Sequence, residues 1–241
     1  MFADIANMFL FGGHKRIAPH ELEDMQAISM YKFDGRLHSQ ERDVCKVWRR
    51  GGVAISMLGM ENQTGIDNDM VLRVIGYDGA AYRAQAGSPG ERYPVITIVL
   101  YFGDSHWTGP RTLLERLNIP DDALRPLVSD YRINVCEVAW LKDAQLRMLD
   151  SDFRLIAECS VNRREGRDYE PSEDREIIHA GETLELMSLV TGDENFRNMR
   201  SSISKGEKIS MYNIFAKRDA EAEARGIAMG EARGEARGEA R

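Results

Sequence analysis

The sequence predicts an α/β domain in which a mixed sheet is flanked by helices, with an exposed helical tail after it. Three observations carry that prediction. Residues 42–50 and 53–64 alternate like strands on either side of Gly51-Gly52, a dipeptide suited to a tight hairpin turn. The run Tyr93 to Phe102 is nearly continuous in β-branched and apolar residues, as a central strand covered on both faces must be. Segments with helical spacing of apolar residues lie between and after these strands.

The elements follow in order. Phe2 to Leu10 has apolar residues at helical spacing and stops at Gly12-Gly13, a short helix with a glycine terminator. Pro19, followed by Glu21, Glu23 and Asp24, marks the acidic first turn of a second short element. The polar run Asp34 to Glu41 leads into the hairpin. Asn68 to Gln85 reads as a helix despite Gly76 and Gly79, which lower its propensity by about 1 kcal/mol each. Pro110 opens a helix ending near Leu117, Asp121 to Leu127 forms another short one, Tyr131 to Leu141 alternates as a strand, and Asp150 to Val161 is helical. The charged stretch Arg163 to Ser172 is a loop or linker, and Ile177 to Thr191 is an amphipathic helix closed by Gly192. From Arg218 the chain becomes simple, ending in GEARGEARGEAR over 230–241. Its four-residue period leaves no apolar stripe beyond alanine, which describes a solvated, frayed helix with weak pairing of opposite charges. The expected division is therefore a domain over 1–195 and a charged helical extension over 196–241.

Composition narrows the function. A chain of 241 residues with 43% hydrophobic content can bury a sizeable core, which excludes disorder of the whole. The apolar opening stretch lacks a basic leader and carries Asp4 and Asn7, so it reads as neither a signal peptide nor a membrane span. Cys45, Cys136 and Cys159 lie far apart without a CxxC pair, the pattern of reduced core thiols in a cytoplasmic protein. Five scattered histidines without cysteine partners argue against zinc. The absence of GxxxxGK[ST], GxGxxG and GxSxG removes the usual nucleotide-binding loops and the hydrolase elbow. A net charge of −7 gives no general pull toward a polyanion, so nucleic acid has to be held by a local basic surface or a bound metal.

The hairpin carries the chemistry. A turn centred on the two glycines sets a register that places Asp43 across from Glu61. Side chains alternate at period 2, so Glu61 and Gln63 share a face with Ile55, Met57 and Gly59, and Asp43 shares it with Cys45 and Val47. A one-residue slip would separate the two carboxylates. Two carboxylates facing each other in low dielectric repel unless one protonates or a cation sits between them. A divalent ion with oxygen ligands, Mg²⁺ or Mn²⁺, resolves that conflict and polarises a phosphodiester. The plainer alternative is that Asp43 and Glu61 are polar strand-end residues paired to arginines. Arg73 reads either as a phosphate contact or as the rim of a packed helix, and His106, beside Trp107, reads as a loop histidine with no visible partner.

The segments ENQT (61–64), MVLRVIGYDGAAYRAQ (70–85), YPVITIVLYFG (93–103), WTGPRTL (107–113) and SDFR (151–154), in this order, resemble the Rpn family of recombination-promoting nucleases and transposases, within the PD-(D/E)XK nuclease superfamily. The likeness runs from Phe2 to about Asn195 and extends to the repetitive tail. It implies a restriction-endonuclease-like fold and a part in DNA recombination or mobility. It also implies an Asp on one strand and Asp/Glu-x-Lys on the next. Asp43 matches the first position, Glu61 the second, and Gln63 stands at the lysine position, as in the E-x-Q variant common in this family. Relatives usually carry more residues ahead of the segment FADIANMFLFGG, so the likeness leaves a truncated start open.

The sequence-based expectation is thus a cytoplasmic, Mg²⁺-dependent DNA endonuclease, with Mn²⁺ as a substitute ion. Asp43 and Glu61 bind metal, Gln63 positions water or phosphate, and Lys46, on the other face of its strand, is the less suitable replacement cation. DNA is the expected partner, with no membrane and no zinc, and a homodimer is left open. The rival is an inactive nuclease-fold module that binds DNA or protein. A structural oligomerisation role is the weakest reading, because the tail lacks heptad apolar residues.

Overall fold

The computed structural model describes residues 1–25, 28–33, 36–41, 43–167, 169, 175–202, 209–210, 212–216, 220, 223 and 226–227. The side chains of 28–33, 36–41, 53, 55, 57 and 201–202 lie outside that description, and so does the GEAR-repeat segment for which a solvated helix is expected. The chain divides into two compact units, Met1–Arg167 and Asp168–Arg241. That boundary reflects chain contacts, whereas the expected domain over 1–195 follows a likeness of sequence, so the two describe different properties.

In the first unit, α1 (Phe2–Phe11) ends at Gly12, whose φ of 60° is the left-handed terminator expected of glycine. Asp4 and Asn7, the polar residues of this apolar stretch, are tethers. Asp4 accepts hydrogen bonds from the Asp150 and Ser151 amides at 3.0 and 2.9 Å. Buried Asn7 accepts from the Ile17 amide at 2.9 Å and donates to the Ile17 carbonyl at 2.8 Å. A 3₁₀ turn over Pro19–Glu21 precedes β1 (Leu22–Asp24). A separate hairpin, β2 (Ile28–Phe33) with β3 (Arg36–Glu41), follows. Neither β1 nor β2 was expected: β1 has three residues, two of them exposed acids, too few for an alternating pattern.

The central hairpin is β4 (Val44–Arg50) and β5 (Val53–Gln63). Gly51 and Gly52 have φ of 59° and 80°, the pair of positive values that a type I′ turn requires. Next to the turn Arg50 pairs with Val53 and Arg49 with Ala54, but Trp48 pairs with Ser56, and Val44 with Met60. One residue of β5, Ile55, is therefore extra, a bulge. A bare two-residue turn would bring Met60 opposite the position of Asp43. The bulge brings Glu61 there instead.

After β5 come α2 (Met70–Ala86) and β6 (Val95–Tyr101), which pairs parallel to β5. A short α3 (Leu113–Arg116) is capped by Thr112, whose hydroxyl accepts from the Glu115 amide at 3.3 Å while Glu115 reaches back, a capping box. A 3₁₀ turn over Asp122–Leu127 leads to β7 (Asn134–Glu137), parallel to β6. β7 is shorter than the expected Tyr131 to Leu141, because the chain turns into a 3₁₀ helix over Val138–Trp140. Then come α4 (Asp143–Leu146) and α5 (Phe153–Arg164). The five-stranded sheet runs β1-β4-β5-β6-β7, antiparallel on one side of β5 and parallel on the other. This is the mixed sheet flanked by helices of the restriction-endonuclease-like arrangement. Cys45, Cys136 and Cys159 are buried and outside any disulfide, and burial pushes the Cys136 thiol up to about 12, far from the thiolate form that reacts.

The second unit has α6 (Ala180–Thr191), closed by Gly192 at φ 71°, and α7 (Glu194–Ser202). Phe196 packs edge-on against Phe215 at 5.9 Å between ring centres. Arg200 pairs with Glu185 at 2.6 Å. Among the described residues, no helix is long and apolar enough to cross a membrane.

Candidate functional site

Parallel strands leave a crevice beyond their carboxyl ends, where α/β sheets bind ligands. Here those ends are in register: Gln63 lies beside Tyr101, and Tyr101 beside Glu137. Two residues earlier Glu61 lies beside Val99, and Val99 beside Val135. This row faces α2, whose Met70, Val71 and Val74 form one core cluster with Val99, Tyr101, Trp107 and Ile133. An acidic residue at position 61 therefore enters a wall of apolar side chains. Glu61 is 1% exposed.

A buried carboxylate needs a partner, and α2 supplies one. Arg73 Nη2 lies 3.2 Å from Glu61 Oε2, and Arg73 Nη1 lies 3.1 Å from Asp67 Oδ2 in the loop ahead of the helix. The same guanidinium donates to the Tyr77 hydroxyl, one turn along, at 3.4 Å. Burial works against the arginine's charge, yet the bonds to Tyr77 and Asp67 and the charge of Glu61 hold Arg73 above its ordinary range. Burial likewise pushes the Tyr77 phenol up. The arginine pairing set out above as the plainer reading of Glu61 is present.

Asp43 sits at the entry to β4, one residue before the paired strand, and is exposed. Its Oδ2 accepts the Asn62 amide at 2.7 Å and the Asn62 side-chain amide at 3.0 Å. Gln63 is half-buried at the end of β5, and its carbonyl accepts from the Phe102 amide at 2.8 Å. Glu61 and Gln63 share the α2 side of the sheet by strand alternation. Lys46 pairs with Leu58 across the hairpin and its ammonium bonds Asp24 of β1. It is directed at the sheet edge rather than at the carboxylates.

His106 has a partner that the sequence did not reveal. Glu137 Oε1 lies 3.1 Å from His106 Nδ1 and accepts the Trp107 amide at 2.6 Å, while Oε2 pairs with Arg111 at 3.2 Å. The imidazole stacks on Trp140 at 3.5 Å, and Arg164 covers the same indole at 4.4 Å. The sequence signal for Glu137 was a charged residue between the apolar Cys136 and Val138 of the expected strand. Arg116 pairs with Asp69 at 2.5 Å and Arg163 with Asp104 at 2.8 Å. The rim is thus of mixed charge, with acids and arginines interleaved, rather than a continuous basic wall.

Among the described residues no group of three or more His, Cys, Asp and Glu side chains could hold a metal ion. The donors present are hard oxygens, the carboxylates of Asp43 and Glu61 and the amide of Gln63. They suit Mg²⁺ or Mn²⁺, which complete their shells with water and substrate oxygens. In kind, then, they fit. A cation arriving at Glu61 meets the charge of Arg73 already there.

Residues 49–166 match the family model described as "Putative transposase, YhgA-like". That segment contains Glu61, Gln63, Arg73 and Glu137, and Asp43 precedes it. No curated protein and no solved structure matches the chain.

Proposed function

We propose that this chain is a metal-dependent DNA endonuclease of the kind that serves recombination or transposition, acting in the cytoplasm. The observation that supports this most is a single one. Glu61 is buried at the carboxyl end of the central strand β5 of a restriction-endonuclease-like sheet, with Gln63 two residues on, inside the segment that matches a transposase family. A buried acid is costly in a fold that needs only apolar residues there, and its place at the ligand crevice gives that cost a purpose.

In this reading Asp43 and Glu61 hold Mg²⁺ or Mn²⁺. Bound there, the ion supplies Lewis-acid polarisation of a phosphodiester and a more acidic water. Gln63 offers an amide that donates to a phosphate oxygen or accepts from water, without a charge. The apolar wall of α2 and β6 keeps bulk water away from Glu61 on one side. Asp43, tied to Asn62, is carried at the exposed mouth.

A second reading has its own support: with Glu61 paired to Arg73 and Asp43 bonded to Asn62, the chain is a nuclease-fold module that binds DNA or protein without cutting. A plasmid nicking assay with Mg²⁺ or Mn²⁺, beside an EDTA control and Glu61→Ala, separates the two. The nuclease reading expects nicking that disappears with EDTA and falls at least ~100-fold in the variant. Equal behaviour of wild type and Glu61→Ala leaves the binding module as the account of this fold.

A further inference from the structure

Arg73 spans two environments. One end of its guanidinium meets Glu61, whose side chain is 2% exposed, while the arginine side chain itself is 39% exposed. The same guanidinium is held by Asp67 at 3.1 Å and donates to the Tyr77 hydroxyl at 3.4 Å. The position fits a cation that serves a bound ligand better than it fits a structural pair, for which a fully covered arginine would suffice. The second observation concerns the other cations of the region. Lys46 is engaged with Asp24 at the sheet edge, Arg111, Arg116 and Arg163 pair with Glu137, Asp69 and Asp104, and Gln63 carries no charge.

We propose that Arg73 is the working cation of this site and has two partners in turn: Glu61 in the metal-free chain, and a non-bridging oxygen of the scissile phosphate once a divalent ion occupies Glu61. The inference rests on the nuclease reading above and names the group that contacts its substrate. Its physical logic is charge exclusion. With a divalent cation on Glu61 the guanidinium would be repelled at close range, and the exposed part of the arginine would turn toward an incoming phosphate while Asp67 keeps its hold on Nη1. Arginine suits that contact because its planar fork can hold two phosphate oxygens at once. Asp67 is the hinge partner that keeps the guanidinium at the crevice through the exchange.

The test combines metal binding with cleavage. Mn²⁺ is titrated into the full chain and free ion read by electron paramagnetic resonance, for wild type, Glu61→Gln, Arg73→Gln and Arg73→Lys. Plasmid nicking is then measured at saturating Mn²⁺. Arg73→Gln is expected to bind Mn²⁺ about 10-fold more tightly than wild type, since the competing charge is gone, yet to nick roughly 100-fold more slowly with little change in KM for plasmid. Arg73→Lys is expected to recover part of the rate. A merely structural arginine gives the opposite pairing, in which metal affinity and rate fall together. Mn²⁺ affinity in Arg73→Gln no tighter than in wild type, with a native circular dichroism spectrum, overturns the proposal, and so does nicking at the wild-type rate. If Arg73→Gln is unfolded without metal, the titration is read by circular dichroism instead. Recovery of the native spectrum in millimolar Mn²⁺ then supports the exchange, and no recovery overturns it. Failure of the underlying reading has a separate signature: Glu61→Gln that binds Mn²⁺ as wild type does removes the site itself.

Discussion

The sheet carries ion pairs at both of its flanks, and the two sets differ in what surrounds them. At the β1–β4 edge, Glu23 meets Arg49 at 2.7 Å and Glu21 meets Arg50 at 2.9 Å, all within reach of solvent. At the carboxyl end of β5, Glu61 meets Arg73 at the longer distance of 3.2 Å. Distance alone would rank the edge pairs as the stronger. Solvent reverses the ranking, because an exposed pair exchanges water for a partner at little net gain, whereas a buried carboxylate stripped of its partner has no water to return to. The edge pairs dress a strand against unwanted pairing, and the inner pair sets the charge of a site.

The sharpest way to break this comparison is to remove one member of the inner pair. Arg73→Met is expected to destabilise the domain by about 3 kcal/mol, since it leaves Glu61 charged or forces it to take up a proton. Adding Glu61→Leu should recover most of that loss, because two apolar side chains join the cluster formed by Val74, Val99 and Tyr101. Urea denaturation of the two variants measures both quantities. A single variant that costs under about 1 kcal/mol shows that the pair behaves like its exposed counterparts.

A smaller effect comes from another buried acid, Asp78 of α2. Asp78 is 2% exposed, accepts the Thr97 hydroxyl at 2.7 Å and accepts the Tyr131 hydroxyl. It sits in mid-helix against β6 rather than at the crevice, so it sharpens the contrast between a structural and a working carboxylate. Tyr131→Phe removes one donor and should cost about 2 kcal/mol, with no change in Mn²⁺ affinity. An equal loss of metal binding in this variant would mean that the crevice extends further along α2 than Glu61.

How much of this was legible in the sequence depends on the range of each signal. The hairpin, α2, β6 and α5 were readable because their patterns are local and long. Their ends moved by two or three residues, as in α2, expected over Asn68 to Gln85 and found over Met70–Ala86. The β1 edge strand and the β2–β3 hairpin gave little alternation and were missed. The register of Glu61 was reached although its cause was not: the glycine turn by itself would have put Met60 opposite Asp43, and only the bulge at Ile55 shifts β5 by one. No sequence pattern announces such a bulge. The side-chain pairings were the least legible part. Asp43 turns to Asn62, and His106 finds Glu137 across a gap of thirty-one residues. Such partners are set by tertiary packing, and a single sequence carries no trace of them.

The smallest expected effect belongs to the edge, and it fades in acid. Arg50 holds the Glu21 carboxyl down to about 2, with help from the Ala18 amide and the Trp48 indole, against an ordinary value of 4.5. A carboxyl with a depressed pKa in the folded state contributes its stability in full above the ordinary value and loses it as pH falls toward the folded one. Glu21→Gln should therefore lower stability at neutral pH, by less than the inner-pair variants do, and flatten its decline between pH 4.5 and about 2, where the variant and wild type converge. Thermal unfolding across that window, at low and high salt, reads the difference. Salt should shrink it, because this network is open to solvent and its charges are screened. A salt-independent decline would place Glu21 with Glu61 rather than with the edge pairs, and the contrast between the two flanks of the sheet would then lie in position alone.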